Sequence, residues 1–367
     1  MKEKISCFRI VILHRSKHIL LLLLFSFAAL TETSAQKVTI TLWKDSAIGA
    51  IYNKATKTVA YGRPDKKQCY KIYVCDSSGK NDKRLTWHEW SNDRQQWPEE
   101  WTPDGQYLFC YVEKTEYVKE KKHKRKPVDA TPGYGAYCDL WLIKRDGSKA
   151  WKILDLPNNY NSGIIHSAIS EDGTLFAWSE RYKAPRLSDL AGCYYLKVAD
   201  FKMDSIPHFE NIRQFKPGNT DATNELDGIS KDNKLISFYS TFEGKNLFST
   251  PIYTLNIETG EIKKLTDESF AQAATFTPDG TKLVYMTGAG CDIFPFEIQG
   301  SDWWIMNTDG TDKKRLTYMN KKDHDHSVNH YRLAGCLSFI DNQTFLGGVM
   351  VKPLGLIGYT VLVRWED

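Results

Sequence analysis

The sequence is short of the features that announce common chemistries. It has no Gly-x-Ser-x-Gly elbow, no Walker loop and no His-Glu-x-x-His segment, so motif-level signs of a serine hydrolase, a nucleotide hydrolase or a zinc protease are missing. It has no closely spaced Cys-x-x-Cys pair, which argues against a disulfide framework. Beyond the N-terminus no stretch shows helical periodicity of useful length. One long apolar run exists, Ile19–Leu30, and it is shorter than the ~20 residues that a spanning helix needs. Charge of one sign is also missing: 49 Lys and Arg face 45 Asp and Glu in 367 residues, for a net charge of +4. Setting residues 1–35 aside leaves +1, which gives no global reason to expect nucleic-acid binding.

What is present begins with an address. Lys2, Lys4, Arg9, Arg15 and Lys17 precede the apolar run, and Thr33 and Ala35 are small residues placed as at a signal-peptidase site. The expectation is a cleaved signal peptide over 1–35 and an exported chain over 36–367, bacterial, periplasmic or secreted, with no membrane span after signal removal. Export permits disulfides. Seven cysteines remain, an odd number spread at roughly one per repeat unit. Small buried apolar residues are the favoured reading, with one bridge between loops left open.

A repeat organises residues 38–367. Its first half reads EWTPDGQYLF at 100–109, ISEDGTLFAW at 169–178, ISKDNKLISF at 229–238 and FTPDGTKLVY at 276–285, with degenerate copies at 52–61 and 338–347. Each copy is an apolar run, a tight polar turn and a second apolar run. Asp-Gly suits such turns because Gly accepts positive φ without steric cost. An alternating strand, a turn and a short strand follow, as in KIYVCDSSGKNDKRLT (71–86) and DWWIMNTDGTDKKRLT (302–317). Six units of four short strands predict an all-β fold, a six-bladed β-propeller of four-stranded antiparallel blades in one domain. The last unit lacks a strand, and the alternating segment Val38–Trp43 is unclaimed. The N-terminal strand should therefore close the ring against Tyr359–Trp365.

These repeats resemble the TolB-type propeller repeat. The matches are Thr102-Pro103-Asp104-Gly105, Thr277-Pro278-Asp279-Gly280, Thr308-Asp309-Gly310, Arg84-Leu85-Thr86 and Arg315-Leu316-Thr317. The resemblance implies the fold and says little of function.

In a propeller, the turns within hairpins share the bottom face. The remaining loops share the top, and here those are the long ones: 87–97, 114–138, 181–193, 216–224, 242–250, 288–301 and 318–331. A ligand site is expected on top, at the mouth of the channel. Trp90, Arg94, Trp97 and Glu99 are its candidate ligand-binding residues, because Trp beside Arg and acid suits stacking on a sugar or another flat ligand. Solvent-shielding at a blade junction is the competing role for the Trp side chains. His166 and His330 are the candidate catalytic residues, facing each other across the channel. His324, His326 and His330, among Asp323 and Asp325, are the candidate metal ligands. Their His-x-His also resembles the manganese site of oligogalacturonate lyases, with Lys321 standing where that family has Gln. A basic run, Lys119–Lys126, could meet an acidic surface.

The favoured function is a non-catalytic ligand- or protein-binding scaffold of the bacterial envelope, monomeric, with an envelope protein or an acidic or neutral glycan as partner. It needs no cofactor beyond a possible divalent metal. The alternative is a carbohydrate-active enzyme, an oligogalacturonate-lyase-like polysaccharide lyase.

Overall fold

The computed structural model describes residues 37–67, 69–120, 130, 135–184, 192–243, 249–267, 270–292, 300–327, 332–352 and 357–366. The leader and its cleavage site lie outside these residues. So do His330, the end of the basic run from residue 121, and Lys126.

The strands form six antiparallel sheets of four. β1 (Val38–Asp45) belongs to the last of them. Blade 1 is β2 (Ile48–Asn53), β3 (Thr58–Pro64), β4 (Tyr70–Asp76) and β5 (Lys83–Leu85). Blade 2 is β6 (Gln96–Trp101), β7 (Tyr107–Glu113), β8 (Cys138–Lys144) and β9 (Ala150–Leu154). The short helix α1 (Thr115–Glu120) lies in its long loop, with Tyr117 buried and stacked on Tyr137 at 3.7 Å. Blade 3 is β10 (Gly163–Ile169), β11 (Leu175–Lys183), β12 (Cys193–Lys202) and β13 (His208–Phe215). Blade 4 is β14 (Asn224–Ile229), β15 (Leu235–Ser240), β16 (Ile252–Asn256) and β17 (Ile262–Lys264). Blade 5 is β18 (Ala271–Phe276), β19 (Lys282–Thr287), β20 (Asp302–Asn307) and β21 (Lys314–Arg315). Blade 6 is β22 (Leu333–Asp341), β23 (Thr344–Lys352), β24 (Ile357–Trp365) and, outermost, β1.

The innermost strands β2, β6, β10, β14, β18 and β22 each contact the next around the ring, and β22 contacts β2. The N-terminal strand closes the ring as the repeat predicts. Val38 pairs with Trp365 and Asp45 with Tyr359. Without β1 the last strand would expose a bare edge of unpaired backbone groups. Among the described residues no helix is long and apolar enough to cross a membrane.

The bottom turns are built by a side-chain device. In blades 2, 3, 4 and 5 a hydroxyl donates to the turn aspartate at 2.6 Å: Thr102 to Asp104, Ser170 to Asp172, Ser230 to Asp232 and Thr277 to Asp279. The aspartate in turn accepts the backbone N–H two residues on, as Gln106 does for Asp104 at 3.0 Å. This Asx-type closure makes the turn short without help from the core. The core itself lies between the blades, in apolar clusters such as Phe109, Leu142, Phe176 and Trp178 between blades 2 and 3. Seven cysteines lie among the described residues. Five are buried, Cys291 is half-buried and Cys336 is exposed.

Candidate functional site

The channel is shaped by one irregularity repeated six times. Each innermost strand loses register with its neighbour at the same place: between Ile48 and Ile51, Pro98 and Glu100, Ile165 and Ser167, Leu226 and Gly228, Gln272 and Thr275, and Ala334 and Leu337. A bulge leaves residues outside the ladder and re-aims their side chains. Three bulged residues take positive φ: Gly49 at 60°, His166 at 43° and Ala273 at 55°. Glycine adopts that conformation freely, whereas for His166 it is an uncommon backbone state held by its surroundings.

Released backbone groups need partners, and acidic side chains of the preceding blade supply them. Glu99 Oε2 on blade 2 accepts the Ser167 N–H at 3.0 Å and the Ser167 hydroxyl at 3.2 Å on blade 3. Asp227 on blade 4 faces the backbone amides of Ala274 and Ala273 on blade 5, which act on it as hydrogen-bond donors. Its Oδ2 is buried without a partner. Burial is the first cause acting on both carboxyls, and it pushes each up to about 7 despite the nearby His166. Glu100 is pushed well up by burial and by Glu99 beside it.

His166 is the hub. Its Nε2 lies 3.2 Å from Glu225 Oε2 on blade 4, with the His side chain 29% exposed and the Glu side chain 5% exposed. Glu225 also takes the Tyr239 hydroxyl. Cys336 stands on the innermost strand of blade 6, on the opposite side of the ring. Burial pulls the imidazole down, but the Cys336 and Glu225 contacts outweigh it and hold His166 well above its ordinary value. Acids from the two neighbouring blades, Glu99 of blade 2 and Glu225 and Asp227 of blade 4, flank it.

The other predicted residues lie elsewhere. Trp90 is 4% exposed and packs edge-on to Trp141 at 5.6 Å, within the core between blades 1 and 2. Trp97 lies over Gly49 and Gly62, where an added Cβ would fall 2.5 Å from its ring, and meets Tyr70 edge-on at 5.2 Å. Arg94 is 3% exposed, and its Nε donates to the Glu113 carbonyl at 2.5 Å. These three side chains pack and cross-link within the blades rather than standing on an open surface. Of that group only Glu99 joins the His166 cluster.

His324 and His326 sit away from the channel, against the outermost strand. His326 Nε2 is 3.2 Å from the Val38 carbonyl of β1, and its N–H donates to His324 Nδ1 at 3.1 Å. His324 stacks on Tyr318 at 4.1 Å. Burial, then His324, lowers the His326 imidazole. Among the described residues no three His, Cys, Asp or Glu side chains come together as a metal-binding group. His330 lies outside the described residues, so its pairing with His166 and its part in a metal site lie there too.

Glu225, Asp227 and Cys336 were not among the sequence-derived candidates. A signal for two of them existed. Glu99, Asp227 and Cys336 each stand five residues before the turn aspartate of their repeat, at Asp104, Asp232 and Asp341. Ala50, Ser167 and Ala274 occupy the same register in the other repeats.

No protein-family model matches the sequence, and no curated protein matches it. Solved structures do resemble it in fold. A protein from Agrobacterium tumefaciens described as TolB is 13% identical, with 91% of this chain and 99% of that one covered and a TM-score of 0.53. A puromycin-hydrolyzing peptidase of Mycobacterium tuberculosis is 14% identical, with 88% of this chain but 43% of that one covered and a TM-score of 0.51. An oligogalacturonate lyase in complex with manganese is 14% identical over 90% of this chain and 98% of that one, and its TM-score of 0.45 carries no argument. The fold is that of the TolB-like six-bladed β-propellers.

Proposed function

We propose that the chain is an exported binding propeller of the bacterial envelope whose ligand seat is the channel around His166. The observation that supports this reading is convergence. Ionisable groups from blades 2, 3 and 4 meet at one level, although they are far apart in sequence. Such convergence of polar groups in a concave, partly buried place is what a small-ligand site requires.

Acid predominates there. Glu225, Glu99 and Asp227 present carboxyl oxygens around a single imidazole, so the seat favours a ligand that brings hydrogen-bond donors, an amine among them, over an acidic glycan. The leader, the envelope location and the monomeric state rest on the sequence reading.

The test is calorimetric titration with an alkyl diamine, a neutral oligosaccharide and oligogalacturonate. The diamine should bind wild type and lose affinity at least about tenfold in Glu225→Gln, as removing one charged partner does. Oligogalacturonate binding, or equal diamine affinity in both proteins, would sink the proposal.

A further inference from the structure

Away from the channel, blade 1 buries two nucleophilic side chains against each other. We propose that Cys69 and Lys71 are a modification site, an oxidation-dependent and reversible covalent crosslink between Sγ and Nζ that acts on the loop entering blade 2.

The geometry carries it. Lys71 Nζ lies 2.9 Å from Cys69 Sγ. Cys69 is 4% exposed and Lys71 is 2% exposed, so neither side chain stands in solvent. Lys71 is the second residue of β4, and Cys69 directly precedes that strand. Residues two apart share one face of a strand, which sets thiol and amine side by side. Both groups also hold the loop before β6. The Cys69 thiol donates to the Asp93 carbonyl at 3.3 Å, and Lys71 Nζ donates to the Arg94 carbonyl at 2.7 Å. Between them the Tyr70 N–H donates to Gln95 Oε1 at 2.6 Å. Gln95 leads directly into β6, the strand that carries Glu99. An amine fixed at this distance is the first nucleophile that an oxidised Cys69 sulfur meets. Other buried thiols serve as references. Burial pushes Cys75 up to about 12 and holds Cys110 and Cys138 well above the ordinary value, which keeps them protonated and slow to oxidise.

The oxidant is hydrogen peroxide. The Cys69 sulfur attacks one peroxide oxygen and the O–O bond breaks. The thiol becomes a sulfenic acid, and the other oxygen leaves as water with the thiol proton. The Lys71 amine, in its neutral form, then attacks the same sulfur. The S–N bond forms, the S–O bond breaks, and the hydroxyl leaves as water with one amine proton. Sulfur has lost two electrons to peroxide, and the condensation needs no further oxidant. Two equivalents of a thiol reverse the bond. The first breaks S–N and leaves a mixed disulfide, and the second frees Cys69. The crosslinked sulfur carries no hydrogen, so the Asp93 carbonyl loses that donor and the loop is held less firmly.

The experiment treats the whole protein with hydrogen peroxide, removes the excess, alkylates the unfolded chain without reductant and maps tryptic peptides. Trypsin does not cut after a lysine whose amine is bonded to sulfur. The expected product is an uncut peptide 68–80 with Cys75 alkylated and Cys69 unalkylated. Its mass falls by about 2 Da, the two hydrogens lost, and dithiothreitol restores it. Hydrogen exchange at residues 91–95 should speed up about tenfold on crosslinking and return with the reductant. Lys71→Arg keeps a donor for the Arg94 carbonyl but offers no neutral amine. That variant should stop at the sulfenic acid, about 16 Da heavier, which dimedone captures. Should it not fold, the wild-type map decides alone. Full cleavage after Lys71 in the oxidised wild type, first oxidation at Cys75, or the same crosslink mass in Lys71→Arg would overturn the proposal. A crosslink about 14 Da heavier than the reduced peptide, with oxygen kept between nitrogen and sulfur, would overturn the condensation step. Unchanged exchange at 91–95 would overturn the action on the loop.

Discussion

At the scale of residues, the molecule separates aromatic from ionisable roles. The tryptophans that stand out in the loop before blade 2 pack inside the blades, where large rings seal the junctions. Trp97 needs the missing side chains of Gly49 and Gly62 to lie flat. The functional candidates are quieter, single acids on innermost strands. Their burial has a consequence for pH. Glu99 is pushed up to about 7, against about 4.3 for an unfolded glutamate. Between these values the native chain holds a proton that the unfolded chain releases, so stability falls as pH rises from about 4.5 to about 7. His166, also held above its unfolded value, acts in the same direction over a higher range. Replacing Glu99 with Gln should flatten this loss by on the order of 3 kcal/mol between pH 4.5 and pH 8. Urea denaturation of both proteins at the two pH values measures it. Equal pH dependence in the two would show that Glu99 titrates normally.

At the scale of elements, legibility followed from whether a feature marks the alternation of residues. Strand and turn runs do, because a two-residue period and an Asp-Gly turn are local. Six blades, the tight bottom turns and the closing role of Val38–Trp43 were therefore readable, and β1 differs only in running on to Asp45. The bulges left no such mark. One extra residue in a strand shifts the pattern by less than a loop does, and only the partner strand reveals it. The closing strand also ties into blade 1. Trp43 meets Tyr61 edge-on at 6.3 Å, and Lys44 pairs with Asp82 at 3.0 Å. Deleting residues 37–45 should lower the melting temperature by on the order of 10 °C or cause aggregation, because β24 becomes an unpaired edge. Thermal unfolding with light scattering would decide. An unchanged transition would mean that the ring holds without β1.

At the scale of the whole molecule, the account depends on ring closure. His166 comes from blade 3, Glu225 from blade 4 and Cys336 from blade 6. The channel that their innermost strands line exists only if all six blades assemble. His166 lies on the innermost strand β10, ahead of the bottom turn of its repeat. The sequence could not give its partners, which arrive from other repeats through bulges. The direct measurement is an NMR titration of the His166 imidazole in the intact protein and in Glu225→Gln. The account predicts a midpoint well above the ordinary value of about 6.5 in wild type and a downward shift in the variant. A wild-type midpoint at or below about 6.5, or no change on losing Glu225, would contradict it.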